Sequence, residues 1–151
     1  MAALKEMITI GTTREAAVNV TYKVGAGGDN GPADVMLIQT MFRFLADAKG
    51  ITRLRSGLAP SDLPAITGTC DLKTKRAILK FQEHNARKLL SVDGAIHPAS
   101  YTGRVIKPGE PRVMTITLMH FLAAESQLYY PERSYIDILI KLEPRLRPWL
   151  S

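Results

Sequence analysis

Ile66-Thr-Gly-Thr-Cys-Asp-Leu-Lys-Thr74 and Val92-Asp-Gly-Ala-Ile-His-Pro-Ala-Ser100 share one layout. Each runs from a β-branched residue through a small polar residue to glycine, then to a helix start and a hydroxyl residue. That order describes a tight turn feeding directly into a helix. Gly68 and Gly94 admit positive φ at no steric cost, and Asp71 is a suitable cap for the helix behind it. Two such units predict a helical module with internal repetition.

Working outward, the helix behind the first unit is expected over Asp71–Leu89. Ala77, Ile78, Phe81 and Leu89 form its apolar face, and Lys73, Lys75, Arg76 and Lys80 its solvated one. A shorter helix is expected behind the second unit, starting at Pro98, whose missing N–H suits a first helical position. Tyr101 and Val105 lie on it. Ahead of the first unit, Asp34 reads as the cap of an opening helix, with Val35, Ile38, Met41, Phe42 and Leu45 at helical spacing and Leu37 and Phe44 widening the stripe. The stretch from Gly50 to Pro64, rich in Ser, Pro and Gly, reads as a loop.

The ends read differently. Val18, Val20, Tyr22 and Val24 alternate with Asn19, Thr21 and Lys23, the period of a half-buried strand. Met7–Ile10 is its expected hairpin partner, joined through Gly11–Arg14. The run from Gly25 to Pro32 then forms a loop. Beyond the breaker Lys107-Pro-Gly-Glu-Pro111, a helix is expected over Thr115–Tyr129 and a last one over Ser134–Leu142, before Pro144 and Pro148 close the chain.

Three pieces together carry a family resemblance. Val35, Ile38 and Gln39 resemble the "V..LQ" pattern of the opening helix in the peptidoglycan-binding domain family. Thr67-Gly-Thr-Cys-Asp-Leu-Lys-Thr-Lys-Arg-Ala-Ile-Leu-Lys-Phe-Gln82 resembles its "DG.fG..T..Av..FQ" signature. Val92-Asp-Gly-Ala-Ile-His-Pro-Ala-Ser100 is similar to its "VDG..GP.T" loop. The resemblance implies a three-helix module over 33–106; together with the N-terminal β-hairpin and Gly-rich loop over 1–32 and the C-terminal helical extension over 107–151 read above from the residues, the expected fold is α+β, mostly α. The resemblance also implies wall affinity without catalysis, usually beside a cell-wall hydrolase or a phage protein. The chain departs from the pattern in three ways. Thr67 replaces the first loop's Asp, Asp71 and His97 stand where Gly is favoured, and the 50–64 loop is long. The entry loop over 25–34 is similar to that of modules in phage-tail and type VI secretion-associated proteins.

Composition narrows the chemistry. The chain has 151 residues, 46% hydrophobic and 23% charged, as ordinary globular proteins do. The net charge of +6 favours acidic partners. Its basic residues are spread along the chain, and no aromatic RNA-reading motif is present, which argues against nucleic acid. The N-terminus lacks an apolar h-region and a cleavage site, so synthesis in the cytoplasm without a signal peptide is expected. Function outside would then need delivery to the periplasm or wall by a non-Sec route. No apolar run approaches the roughly 20 residues of a membrane span.

No catalytic, metal or cofactor constellation is expected. His84, His97 and His120 have no ligand spacing, and Cys70 beside Asp71 has nothing to lower its thiol pKa. Gly25, Gly27 and Gly28 lack the Lys and Ser/Thr of a phosphate loop. Asp71 and Asp93 are accounted for by turn and cap hydrogen bonds. A ligand face, if present, lies around the two glycine turns and the third helix, with Thr67, Asp93, His97, Tyr101 and Arg104 as candidates. Arg104 would grip a stem-peptide carboxylate and Tyr101 would pack on a sugar; otherwise Tyr101 belongs to the core and Arg104 is a surface charge. Two functions remain: a non-catalytic module that binds peptidoglycan or its stem peptides, or a protein-interaction adaptor that docks a protein partner through the hairpin or the tail.

Overall fold

The hairpin forms earlier in the chain than the alternation predicts. In the computed structural model, which describes residues 3–47, 51–101, 105–106, 112–126 and 134–151, β1 (Lys5–Ile10) pairs antiparallel with β2 (Thr13–Val18). The turn between them uses Gly11 at φ 59°. Val18, Val20 and Val24 are buried as expected, but Tyr22 is 60% exposed and the segment between Val18 and Val24 is not a strand. Side chains satisfy its backbone instead. Asn19 Oδ1 accepts from Val20 N–H, while the two carboxylate oxygens of Asp34 accept from Thr21 and Tyr22 N–H at 2.8 and 3.0 Å. Asp34 therefore pins the incoming chain and does not cap its own helix. That helix, α1 (Pro32–Asp47), starts earlier, with Pro32 in its first turn. Before it, the two-residue strand β3 (Val24–Gly25) pairs with β4 (Ala95–Ile96).

The 50–64 stretch also differs from expectation. It contains the short helix α2 (Ile51–Ser56) and a 3-10 turn at Pro60–Asp62. Gly57, at φ 67°, stops α2 by accepting the left-handed conformation that ends many helices. Next comes α3 (Leu72–His84), capped as predicted by Asp71, whose Oδ1 accepts from Thr74 N–H at 2.9 Å. It stops short of Leu89 because Asn85 folds back, donating to the Phe81 and Arg55 carbonyls. Leu89 is buried in a bridge to Val113.

No helix starts at Pro98. From Pro98 to Tyr101 the chain is irregular, and Val105–Ile106 forms β5, parallel to β1; residues 102–104 lie outside the described set. Local pattern loses here to a distant partner. The Asn19 amide grips both polar groups of Ala99, donating to its carbonyl at 2.8 Å and accepting from its N–H at 3.0 Å. The β-branched pair Val105–Ile106 then continues the sheet, in the order β2-β1-β5.

Two predicted C-terminal helices are present. α4 (Thr115–Ser126) is apolar nearly all round, and α5 (Tyr135–Leu142) is capped by Ser134, whose hydroxyl accepts from Ile136 N–H. A 3-10 turn at Pro144–Leu146 and the single turn α6 (Arg147–Leu150) follow where only prolines were expected to close the chain. With 52% helix and 14% strand among the described residues, the fold is α+β and mostly α, as predicted.

One hydrophobic core draws on the whole length. Ile38, Met41, Phe42 and Leu45 of α1 meet Ile78 and Phe81 of α3, Ile116, Met119 and Leu122 of α4, and Tyr135 and Leu139 of α5. The Phe42 and Phe81 rings sit 5.8 Å apart at 54°, the tilted packing aromatic pairs favour. The ends join that core too: Leu4, Val18, Leu146 and Leu150 are buried in it, and Leu4 N–H donates to the Trp149 carbonyl.

Candidate functional site: two glutamine-held glycine turns

Gln39 is fully buried on α1 and holds the first glycine turn by its amide. Its Oε1 accepts from the N–H groups of Thr67 and Gly68, each at 2.9 Å. Its Nε2 donates to the Thr69 carbonyl and to Thr74 Oγ1, each at 3.0 Å. Backbone N–H groups only donate, so the amide orientation is determined by its partners.

Gln82, fully buried on α3, repeats the arrangement on the second turn. Its Oε1 accepts from Gly94 N–H at 2.8 Å, and its Nε2 donates to the Ala95 carbonyl at 2.8 Å and to Thr115 Oγ1 at 3.0 Å. Both glycines are left-handed, Gly68 at φ 81° and Gly94 at φ 78°. Each glutamine thus ties a glycine turn to a threonine in the first turn of the next helix. In the second unit that helix is α4, reached after the 97–114 excursion, and not a helix at Pro98. The sequence motifs mark Gln39 and Gln82 only as pattern positions and Thr115 only as a helix start. The signal available was their shared place, each following a buried apolar residue (Ile38, Phe81) on the helix ahead of its turn.

Of the predicted ligand residues, Thr67 lies exposed on the first turn, and its Oγ1 accepts from Thr69 N–H at 3.1 Å. Asp93 and His97 come together on the second, with Oδ2 to Nε2 at 2.7 Å, both partly open to solvent. Burial alone would raise the Asp93 carboxyl, but the His97 contact and the Ala95 N–H outweigh it and hold it below the usual range. Tyr101 is a correction. It is 4% exposed, packed with Ile8 and Ala17, and its hydroxyl meets Thr117 Oγ1 at 3.2 Å, so no ring face is open for a sugar. Its side chain reaches inward because the Asn19 clamp on Ala99 turns the chain toward the hairpin. Arg104 lies outside the described residues.

A second polar cluster has no local signature in the sequence. His120 is fully buried on α4, with Nδ1 at 2.6 Å from the Tyr135 hydroxyl, which accepts from Val18 N–H at 3.1 Å. The other ring nitrogen of His120 is Nε2. That atom lies 3.3 Å from Glu15 Oε2, off the line of a hydrogen bond, so the contact is electrostatic. Burial pushes the Tyr135 phenol far above its ordinary value. The cluster couples β2, α4 and α5 in the interior.

Burial likewise raises the Cys70 thiol, away from nucleophile character. Among the described residues no group of three or more His, Cys, Asp or Glu is placed to hold a metal ion. No helix there is long and apolar enough to cross a membrane. Compared with family models, curated proteins and solved structures, the chain matches none.

Proposed function

We propose that this chain is a non-catalytic binding module for peptidoglycan or its stem peptides, accessory to a wall-acting enzyme or to a phage-like or type VI secretion apparatus. The observation that carries the reading is the twofold glutamine–glycine–threonine frame. It falls on the same residues, Gln39, Gly68 and Thr74, then Gln82 and Gly94, whose motifs resemble the peptidoglycan-binding family. The frame presents two rigid turns to solvent, with Thr67 on one and the Asp93–His97 pair on the other. Rigid turns with exposed polar groups suit recognition of a hydrated polymer, because little entropy is lost on binding. Arg104 keeps its proposed part as the cation for a carboxylate. On this reading the chain works at the wall, delivered to the periplasm by a non-Sec route.

The adaptor reading draws less support. Of the tail residues it would present to a protein partner, Ile136 and Leu139 are buried and Ile138, Ile140 and Trp149 are partly buried against the core, while Leu128, Tyr129 and Tyr130 lie outside the described residues. Co-sedimentation with purified sacculi tests the wall reading. The full chain should pellet saturably, and Asp93→Ala with His97→Ala should weaken retention. A chain that stays in the supernatant would sink it.

A further inference from the structure

A groove of about 510 Å3 runs between α3 and the 3-10 turn at Pro60–Asp62. Lys73, Arg76 and Lys80 line it from one face of α3, at the i, i+3 and i+7 spacing that stacks side chains on a helix. Asp62 stands on the opposite wall. Ala77 is buried at the helix side, and Leu72 leaves an apolar lip that is 59% exposed.

The cations are not equivalent. Lys80 is committed: its Nζ lies 2.7 Å from Asp62 Oδ2, which also accepts from Ala59 N–H at 2.8 Å. Arg76 has no hydrogen bond or ion pair among the described residues. Lys73 feels the charges of Asp62 and Asp71 without touching either. The groove therefore offers an open guanidinium fork, a second cation beside it, an apolar lip and one carboxylate across from them.

That mixture selects among anions. A phosphodiester chain has no apolar group to set against Leu72 and no cation to offer the Asp62 oxygen that Lys80 and the Ala59 N–H leave open. A peptide ending in a free carboxylate behind a small apolar residue and a cationic side chain matches every wall. The guanidinium takes the carboxylate through paired N–H donors, which a lysine cannot do. A methyl group rests on Leu72, and the ligand's ammonium faces Asp62.

We infer that this groove binds the carboxylate end of a short zwitterionic peptide, with Arg76 as the anchor, Lys73 as the second cation and Leu72 as the apolar contact. The inference rests on the wall reading for its source of such peptides, the stems of peptidoglycan, and assigns them a site that the glycine turns do not contain.

The test is an NMR titration of the full 15N-labelled chain with N-acetyl-lysyl-D-alanyl-D-alanine, its C-terminal amide and inorganic phosphate. The free acid should shift the amide signals of Asp62, Leu72, Lys73, Arg76 and Lys80 saturably. The amide should bind about tenfold or more weaker, as should Arg76→Gln with the acid, while Arg87→Gln behaves as wild type. Phosphate at equal concentration should not displace the peptide. Equal binding of acid and amide, an Arg76→Gln chain that binds normally, displacement by phosphate, or no saturable shift in the groove would overturn the assignment. The two readings fail separately. If the chain pellets with sacculi while the peptide leaves the groove signals unmoved, the groove falls and the wall reading stands. If the peptide saturates the groove through Arg76 but sacculi are not bound, the groove stands and the wall reading falls.

Discussion

Gln82 on α3 donates from Nε2 to the hydroxyl of Thr115 at the start of α4, 3.0 Å away, and so ties the second glycine turn to a helix reached only after a long excursion. Gln39 makes the matching bond to Thr74 at the same 3.0 Å. Replacing either glutamine by alanine removes the acceptor of turn N–H groups that are buried at Gly68 and partly buried at Thr67 and Gly94. Each orphaned group costs about 1–3 kcal/mol. We expect Gln39→Ala, which strands the N–H of both Thr67 and Gly68, to lose at least as much stability as Gln82→Ala, which strands that of Gly94. Urea denaturation measures it, and a loss below about 0.5 kcal/mol for either, the range of an ordinary surface substitution, would refute the frame's structural role.

The glycines of the frame separate backbone strain from lack of space. At Gly94 a Cβ would meet Ala26 Cβ at an ordinary 3.5 Å, so Gly94→Ala pays only for its φ of 78°, roughly 1–2 kcal/mol. At Gly25 a Cβ would run into the Gly94 carbonyl itself, at φ 113°. Gly25→Ala should therefore cost clearly more, because β3 and β4 must part to admit it. Thermal unfolding of the two variants side by side decides; equal costs would mean that the approach of β3 to β4 is looser than the geometry states.

Glu15 should make stability depend on acid. His120 beside it holds its carboxyl below the ordinary glutamate value of 4.5, against the opposing effect of burial. A depressed folded-state pKa means that the stabilisation is present above the unfolded value and is lost as pH falls through the lower, folded one. Asp71, held down by Thr74, and Asp62, held down by Lys80, act in the same direction. Denaturation midpoints should fall as pH drops from 5 through the region below 4.5, and Glu15→Gln should flatten part of that slope. An unchanged slope in Glu15→Gln would show that the His120 contact contributes nothing.

Tyr135→Phe removes the hydroxyl that serves Val18 N–H and His120 Nδ1 at once. Both partners are buried, so a loss of about 2–4 kcal/mol is expected from two unsatisfied groups. Amide exchange at Val18 should also speed up in the variant relative to its neighbours on β2. A variant as stable as the parent would mean that the interior cluster is not closed as described.

Local chemistry was legible where neighbours in sequence decide it. The Asp71 cap, the left-handed glycines of both turns and the Ser134 start of α5 follow from residues within a few positions of one another. The third helix was not legible, because Pro98 suits a helix start in isolation and only Asn19, far away in sequence, holds Ala99 extended. α2 was missed for its shortness: Ile51–Ser56 is too brief to show a period, and the glycines on either side suggest a loop. The candidate site was half legible. Asp93 and His97 pair as their spacing allows, whereas Tyr101 turns inward to partners on β1 and β2 that no local pattern reveals.

The central claim is that this chain binds the peptide-bearing wall and does no chemistry on it. A binding isotherm of the full chain on sacculi stripped of attached polymers, run beside chitin as a glycan without stem peptides, tests it most directly. The account predicts saturable binding to sacculi, none to chitin, and no release of soluble muropeptides during the incubation. Equal retention on both solids, no retention on sacculi, or solubilised wall fragments would contradict it.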